Sequence, residues 1–227
     1  MQIQSQNPGK CQPNFQALRI SSVTKGSRKI DIYSLTSKDK FFAEKMLNIA
    51  KGQKFSEDSK LLGAPSVRNV YDTALKKVKH LDTHPYDRVI LSVEGGKKVT
   101  GVLNIGGQAD SVVEGLAVWN NDRLTRDSLV VSALKDTSRS YGDFSALILP
   151  TASEPANTKA YFRRLGFKTP KDFGNKDLMV EGENLQTVIP KAQKAMNADE
   201  TKDFTYRYYT DSVSYTHLRA HETSAHL

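Results

Sequence analysis

The chain has 227 residues, 38% of them hydrophobic and 26% charged, with a formal net charge of +8. With a mean hydropathy of −0.52 and no apolar run of about 18 residues, it holds no candidate transmembrane helix. The lone cysteine, Cys11, excludes an internal disulfide and a cysteine metal cluster.

This length suits one domain with ragged ends. The opening stretch MQIQSQNPGKCQPNFQ lacks the apolar core of a secretory signal, so the cytoplasm is the expected compartment and no membrane partner is expected. The basic residues are spread along the whole chain, which describes a solvated surface or an anionic ligand better than nucleic acid. The aromatic–basic interleaving of single-strand binders is missing as well.

Residues 1–27 are rich in Gln, Asn, Ser and Lys and predict a disordered arm. Lys29–Leu35 alternates and predicts the first strand. Thr36 and Asp39 have capping-box spacing, and Phe42, Met46, Ile49 and Ala50 share a face, which predicts a helix over 39–51. Gly52–Ala64 reads as a polar loop. Pro65-Ser66 opens a second helix with the stripe Val67, Tyr71, Ala74, Val78 and Leu81. His80 and His84 close it, as cations suit a helix C-terminus. Arg88–Glu94 and Lys98–Ile105, joined through Gly95-Gly96, predict a hairpin, and Val112–Trp119 a third strand.

Asn120-Asn121-Asp122 is a cluster of turn formers. A helix is then expected over Asp127–Tyr141, ended by Gly142. The apolar Ala146–Leu149 predicts a buried strand parallel to the one before that helix. Pro155–Leu165 predicts a helix closed by Gly166. Gly166–Lys168 and Asp177–Glu181 complete the sheet, and after Pro190 the pattern dissolves. The order β-α-α-β-β-β-α-β-α-β-β describes an α/β chain with a mixed sheet and helices on both faces. The domain is expected over 28–190, with a polar segment over 191–211. Beyond it, Val213–Thr223 (VSYTHLRAHET) resembles a translated sequencing-library adapter, so 212–227 is set aside as an artefact, and His217, His221 and His226 with it.

The stretch Ser111–Val131 carries the chemistry. A buried strand feeding a helix through a short loop leaves N–H groups at the helix N-terminus, a seat for phosphate. Arg123 and Arg126 stand in that loop. The expected ligand is a nucleotide-like cofactor whose diphosphate docks there.

The element order, with EGLAVWNNDRLTRDSLVVSAL and NTKAYFRRLGF, resembles the GCN5-related N-acetyltransferase (GNAT) superfamily over roughly Lys29–Pro190. The resemblance implies an acyl-CoA N-acyltransferase fold. It further implies acetyl-CoA as cofactor and acetyl transfer to an amine of a small molecule or protein, with a second copy of the chain among the partners. Leu116, Ala117 and Val118 look like the strand end that holds the cofactor. Arg123, Leu124, Thr125, Arg126, Asp127 and Ser128 occupy the loop whose family pattern is Gln/Arg-x-x-Gly-x-Gly/Ala. Arg126 and Ser128 stand where the family has its glycine and second small residue. Gly166-Phe167 match a family element whose catalytic tyrosine lies four residues before the glycine. That position is Phe162 here, beside Tyr161. Neighbouring helix residues point about 100° apart, so Tyr161 is either a displaced catalytic hydroxyl or a packed aromatic. Glu114, four residues before Val118 and expected on the same face, is the candidate general base or a strand-edge charge. Ser153 and Asn157 resemble positions that bond the pantetheine arm, with helix capping and solvent exposure as the plain alternatives. A catalytically silent binding module of the same fold is the competing function, supported by Phe162 and Arg126. No metal site is expected.

Overall fold

The structure, a computed structural model, describes residues 18–36, 39–52, 60–96, 98–108, 110–141, 146–170 and 177–202. The adapter-like tail and residues 1–17 lie outside the described residues. The chain runs β1 (Leu18–Lys25), β2 (Arg28–Ser34), α1 (Lys40–Lys51), β3 (Lys60–Leu62), α2 (Val67–His80), β4 (Arg88–Glu94), β5 (Lys98–Gly106) and β6 (Ser111–Val118). It continues through a 3-10 turn to α3 (Arg123–Tyr141), β7 (Ala146–Leu149), α4 (Ala156–Leu165), β8 (Leu178–Glu181), α5 (Gly182–Met196) and β9 (Asp199–Lys202).

The sheet order is β8-β7-β6-β5-β4-β2-β1-β9, with β3 on the free edge of β6. Neighbours are antiparallel, except that β6 and β7 run parallel. One apolar layer packs α1 and α2 on one face through Leu47, Val70, Tyr71, Val78 and Val102. The other packs α3, α4 and α5 through Leu116, Leu129, Phe162, Leu178 and Leu185. This is the mixed sheet with helices on both faces that the sequence pattern predicts. No described helix is long and apolar enough to cross a membrane.

Several predicted boundaries move for physical reasons. The arm expected over 1–27 gives way at Leu18, because Leu18–Lys25 pairs along β2. Its apolar alternation is masked by Ser21 and Ser22, which are buried polar residues. Ser22 Oγ donates to Asp31 Oδ1 at 2.5 Å. The loop expected over Gly52–Ala64 contains the short strand β3. The chain does not dissolve after Pro190 either, since α5 runs through that proline to Met196. Leu185, Val188, Ala192 and Met196 bury one stripe of it, and that stripe outweighs the backbone bond the proline forfeits. β9 is a polar strand held by a charge pair, with both Glu200 carboxylate oxygens accepting from Lys135 Nζ on α3 at 2.6 and 2.5 Å.

The predicted end of α4 is observed with its reason. Gly166 adopts φ +114°, its N–H reaches Arg163 O, and the Phe167 N–H reaches Phe162 O. This is a Schellman-type stop. A Cβ at Gly166 would sit 2.9 Å from Val188 Cγ2 of α5, so the Gly-Phe pair serves both a turn and a helix contact.

Candidate functional site

β6 is the spine of the site. Its pairing with β5 runs from Val112 to Val118, with a shift of register between Asn104 and Ile105. Asn104 faces Gly115 and Ile105 faces Val113, so Glu114 is the extra residue of a β-bulge. The bulge breaks the alternation that put Glu114 and Val118 on one face. Val118 and Leu116 join the layer under α3. The Glu114 carboxylate instead meets Lys77 Nζ of α2 at 3.1 Å. Lys77 is 7% exposed and also pairs with Asp87 at 2.5 Å. The carboxylate lies over Gly106, where a Cβ would come within 2.1 Å of Oε1, so only glycine leaves room for it.

β6 and β7 pair only at Ser111–Leu147 and Val112–Ile148, and then part. The wedge between them opens where the bulge presents Glu114.

The wedge is not empty. β3 runs antiparallel on the freed edge of β6, pairing Lys60 with Ala117 and Leu62 with Leu116. Gly63 follows at φ +73°, and a Cβ there would meet Glu114 O at 2.7 Å and Pro150 Cγ at 3.1 Å. The backbone therefore threads between the end of β7 and the bulge of β6.

The helix end expected to seat a diphosphate is also taken. Arg123–Ser128 is not a loop but the opening of α3, since α3 begins at Arg123. Asp122 supplies the reason. Its Oδ2 accepts from the Thr125 N–H at 2.9 Å and from Thr125 Oγ1 at 2.6 Å, an N-terminal cap. Asn120 and Asn121 take left-handed φ values near 50° to make the turn. Arg28 then reaches Asp122 at 2.9 Å and Glu94 at 2.7 Å. Burial pushes the Asp122 carboxyl up, but the bonds from Arg28 and Thr125 outweigh it and hold the group below the ordinary range. An ionised carboxylate thus complements the α3 dipole where a phosphate was expected.

The remaining loop candidates turn inward, except Arg123, whose side chain is 73% exposed. Leu124 and Thr125 are buried, and Ser128 donates from Oγ to Leu124 O at 2.7 Å. Asp127 is 2% exposed and collects Tyr161 Oη at 2.6 Å, Arg126 Nε at 2.8 Å and Arg123 Nε at 3.4 Å. The Arg126 guanidinium lies 4.1 Å from the centre of the Tyr161 ring. Burial, then the Asp127 charge and hydrogen bond, push the Tyr161 hydroxyl above its ordinary range. Phe162 is 1% exposed and packs edge-to-face on Phe167 at 5.5 Å. Tyr161 and Glu114 are therefore tied to different elements, one to α3 and the other to α2. Ser153 is exposed and does not cap α4, whose first turn follows Pro155. Asn157 is exposed, and its Oδ1 accepts from the next N–H at 2.8 Å. Lys77 and Asp87 are site residues that the sequence pattern passed over. Both read as ordinary solvated charges, and only the bulge reveals their partner.

The freed edge of β6 suits an extended arm bearing amides, but only with β3 displaced. The start of α3 does not suit a diphosphate, because Asp122 and the Asp127 cluster fill it.

No family model matches the chain, and no curated protein matches its sequence. Solved structures do resemble it. A protein from Bacillus halodurans (bh2621) aligns at 8% identity and TM-score 0.50, over 79% of this chain and 99% of its own. AtaTR bound with AcCoA aligns at 14% identity and TM-score 0.49, over 70% of this chain and 97% of its own. A probable acetyltransferase from Staphylococcus epidermidis aligns at 13% identity and TM-score 0.46, over 67% of this chain and 98% of its own. Identities this low speak to the fold alone.

Proposed function

We propose that the chain is an acyl-CoA-dependent N-acyltransferase that moves an acetyl group from acetyl-CoA to an amine of a small molecule or protein. One observation carries the reading: β6 and β7 part after Val112, and the bulge at that point turns the carboxylate of Glu114 out of the ladder. Acetyl-CoA supplies the activated acyl group. The amine must lose a proton to attack it, and Glu114, fixed by Lys77, is the base. Backbone N–H groups of β6 beyond the bulge, once freed of β3, are the donors for a carbonyl oxygen. Neither Phe162, which lies in the core, nor Tyr161, which is engaged by Asp127, offers a hydroxyl to the departing thiolate. Solvent supplies that proton.

A catalytically silent module of the same fold is the second reading. It is favoured by the occupied wedge, by Phe162, and by Asp122 and Asp127, whose carboxylates repel a diphosphate at the start of α3. Calorimetry with acetyl-CoA, joined to thiol release over a panel of amines, separates the two. The first reading expects saturable binding and amine-dependent thiol release. Glu114→Gln then lowers the rate by about 10²–10⁴-fold and leaves acetyl-CoA affinity in place. If millimolar acetyl-CoA binds neither the chain nor a variant in which β3 is loosened, the first reading is lost and the second remains.

A further inference from the structure

We propose that β3 is an internal plug: Lys60–Leu62 holds the edge of β6 that a thioester's amide arm needs, so the ligand binds only when β3 leaves. The inference rests on the acyltransferase reading above. It begins from the accounting of backbone groups on β6. One edge of that strand is satisfied by β5 along its length. The other edge starts on β7 at Ser111 and Val112 and ends on β3 at Leu116 and Ala117. Buried N–H and C=O groups demand partners. Once β7 turns away, β3 is the partner that the chain itself provides.

An extended ligand that lays its amides along this edge adds a strand to the sheet. Two strands cannot share one edge, so ligand and β3 exclude each other.

The geometry makes β3 removable. It is a strand of 3 residues, it lies off the main path of the sheet, and its register shifts between Lys60 and Leu62. Its described anchor is Leu62, fully buried in the layer under α3. On its far side stands Gly63, whose positive φ and close approach to Glu114 O and Pro150 only glycine allows. The same fit puts the segment between the diverging strands rather than beside them.

The test is acetyl-CoA affinity, by calorimetry on the full chain. Leu62→Ser weakens the anchor and is expected to tighten binding by about tenfold; each tenfold is about 1.4 kcal/mol. Equal or weaker binding in a variant that still melts cooperatively overturns the plug. A second variant guards against misfolding of the first. Lys60→Cys with Ala117→Cys joins residues that are partners across the ladder, on a Cys11→Ser background. Oxidised, it is expected not to bind, and reductant is expected to restore binding. Equal binding in both redox states also overturns the plug. If the wild type binds and neither change matters, the plug alone fails. If neither the wild type, the Leu62 variant nor the reduced double variant binds, the acyltransferase reading fails and the plug falls with it.

Discussion

Arg88→Ala is expected to destabilise the fold by about 3–5 kcal/mol, the usual cost of removing one partner of a buried ion pair. Arg88 on β4 meets Asp136 of α3 at 2.6 Å, with side chains 14% and 9% exposed, and donates from a second nitrogen to Ser111 Oγ at 2.9 Å. The pair fastens α3 across the sheet beside the start of β6. Burial pushes the Asp136 carboxyl above its ordinary range, against the pull of Arg88 and Arg139. Without Arg88 that upward push strengthens. A carboxyl whose folded pKa exceeds its unfolded value binds extra protons when folded, so stability falls as pH rises between those values. The Arg88→Ala deficit is therefore smaller near pH 4 than at pH 7. Urea unfolding at the two pH values measures it, and a deficit below about 1 kcal/mol at pH 7 contradicts the buried-pair account. Replacing both partners with apolar residues is expected to recover much of the loss, since it strands no charge.

Asp127→Ala carries the next largest expected effect, a loss of about 3 kcal/mol. The carboxylate is the common acceptor for Tyr161, Arg126 and Arg123. Its removal leaves Arg126, 17% exposed, against an aromatic ring with its main partner gone. It also takes from the part-buried Tyr161 hydroxyl its acceptor, a further cost. The variant has a spectroscopic signature too. Burial and Asp127 both raise the Tyr161 pKa, so the folded protein keeps a proton that the unfolded chain releases near pH 10. Wild-type stability then declines above that pH. In the variant part of the raising influence is gone, so the alkaline decline is shallower and phenol ionisation by absorbance begins earlier. Unchanged stability and an unchanged phenol titration together contradict the assigned cluster. The effect matters for function because this cluster, not an open ring of N–H groups, closes the start of α3.

The sequence exposes those parts of the molecule whose burial follows a simple period. The β4–β5 hairpin, β6, β7 and the helices α2 and α4 all have stripes or runs that match one face. The elements it hides break that rule. β1 buries Ser21 and Ser22 between apolar residues, β9 is fixed by Glu200 and Lys135, and α5 carries Pro190 within a good stripe. β3 is too short for any period to register.

The site shows the same division. The parallel placing of β6 and β7 was legible as an apolar strand either side of a helix. The direction of Glu114 was not, because an extra residue in one strand leaves no mark on a pattern of alternation and reverses everything deduced from it. The start of α3 failed for another reason. Arg123-Leu124-Thr125-Arg126 reads as a loop, until Asp122 is recognised as its cap and Arg28 as the cation that steadies that cap. Phe162 followed its residue type into the core, and the helix geometry sent Tyr161 elsewhere.

Hydrogen exchange, with and without saturating acetyl-CoA, tests the central claim that the wedge beside β6 receives the thioester. The account predicts that amides of Lys60–Leu62 lose protection in the complex while Leu116–Val118 keep or gain it, as one strand replaces another. Bound acetyl-CoA that leaves both segments unchanged contradicts that claim.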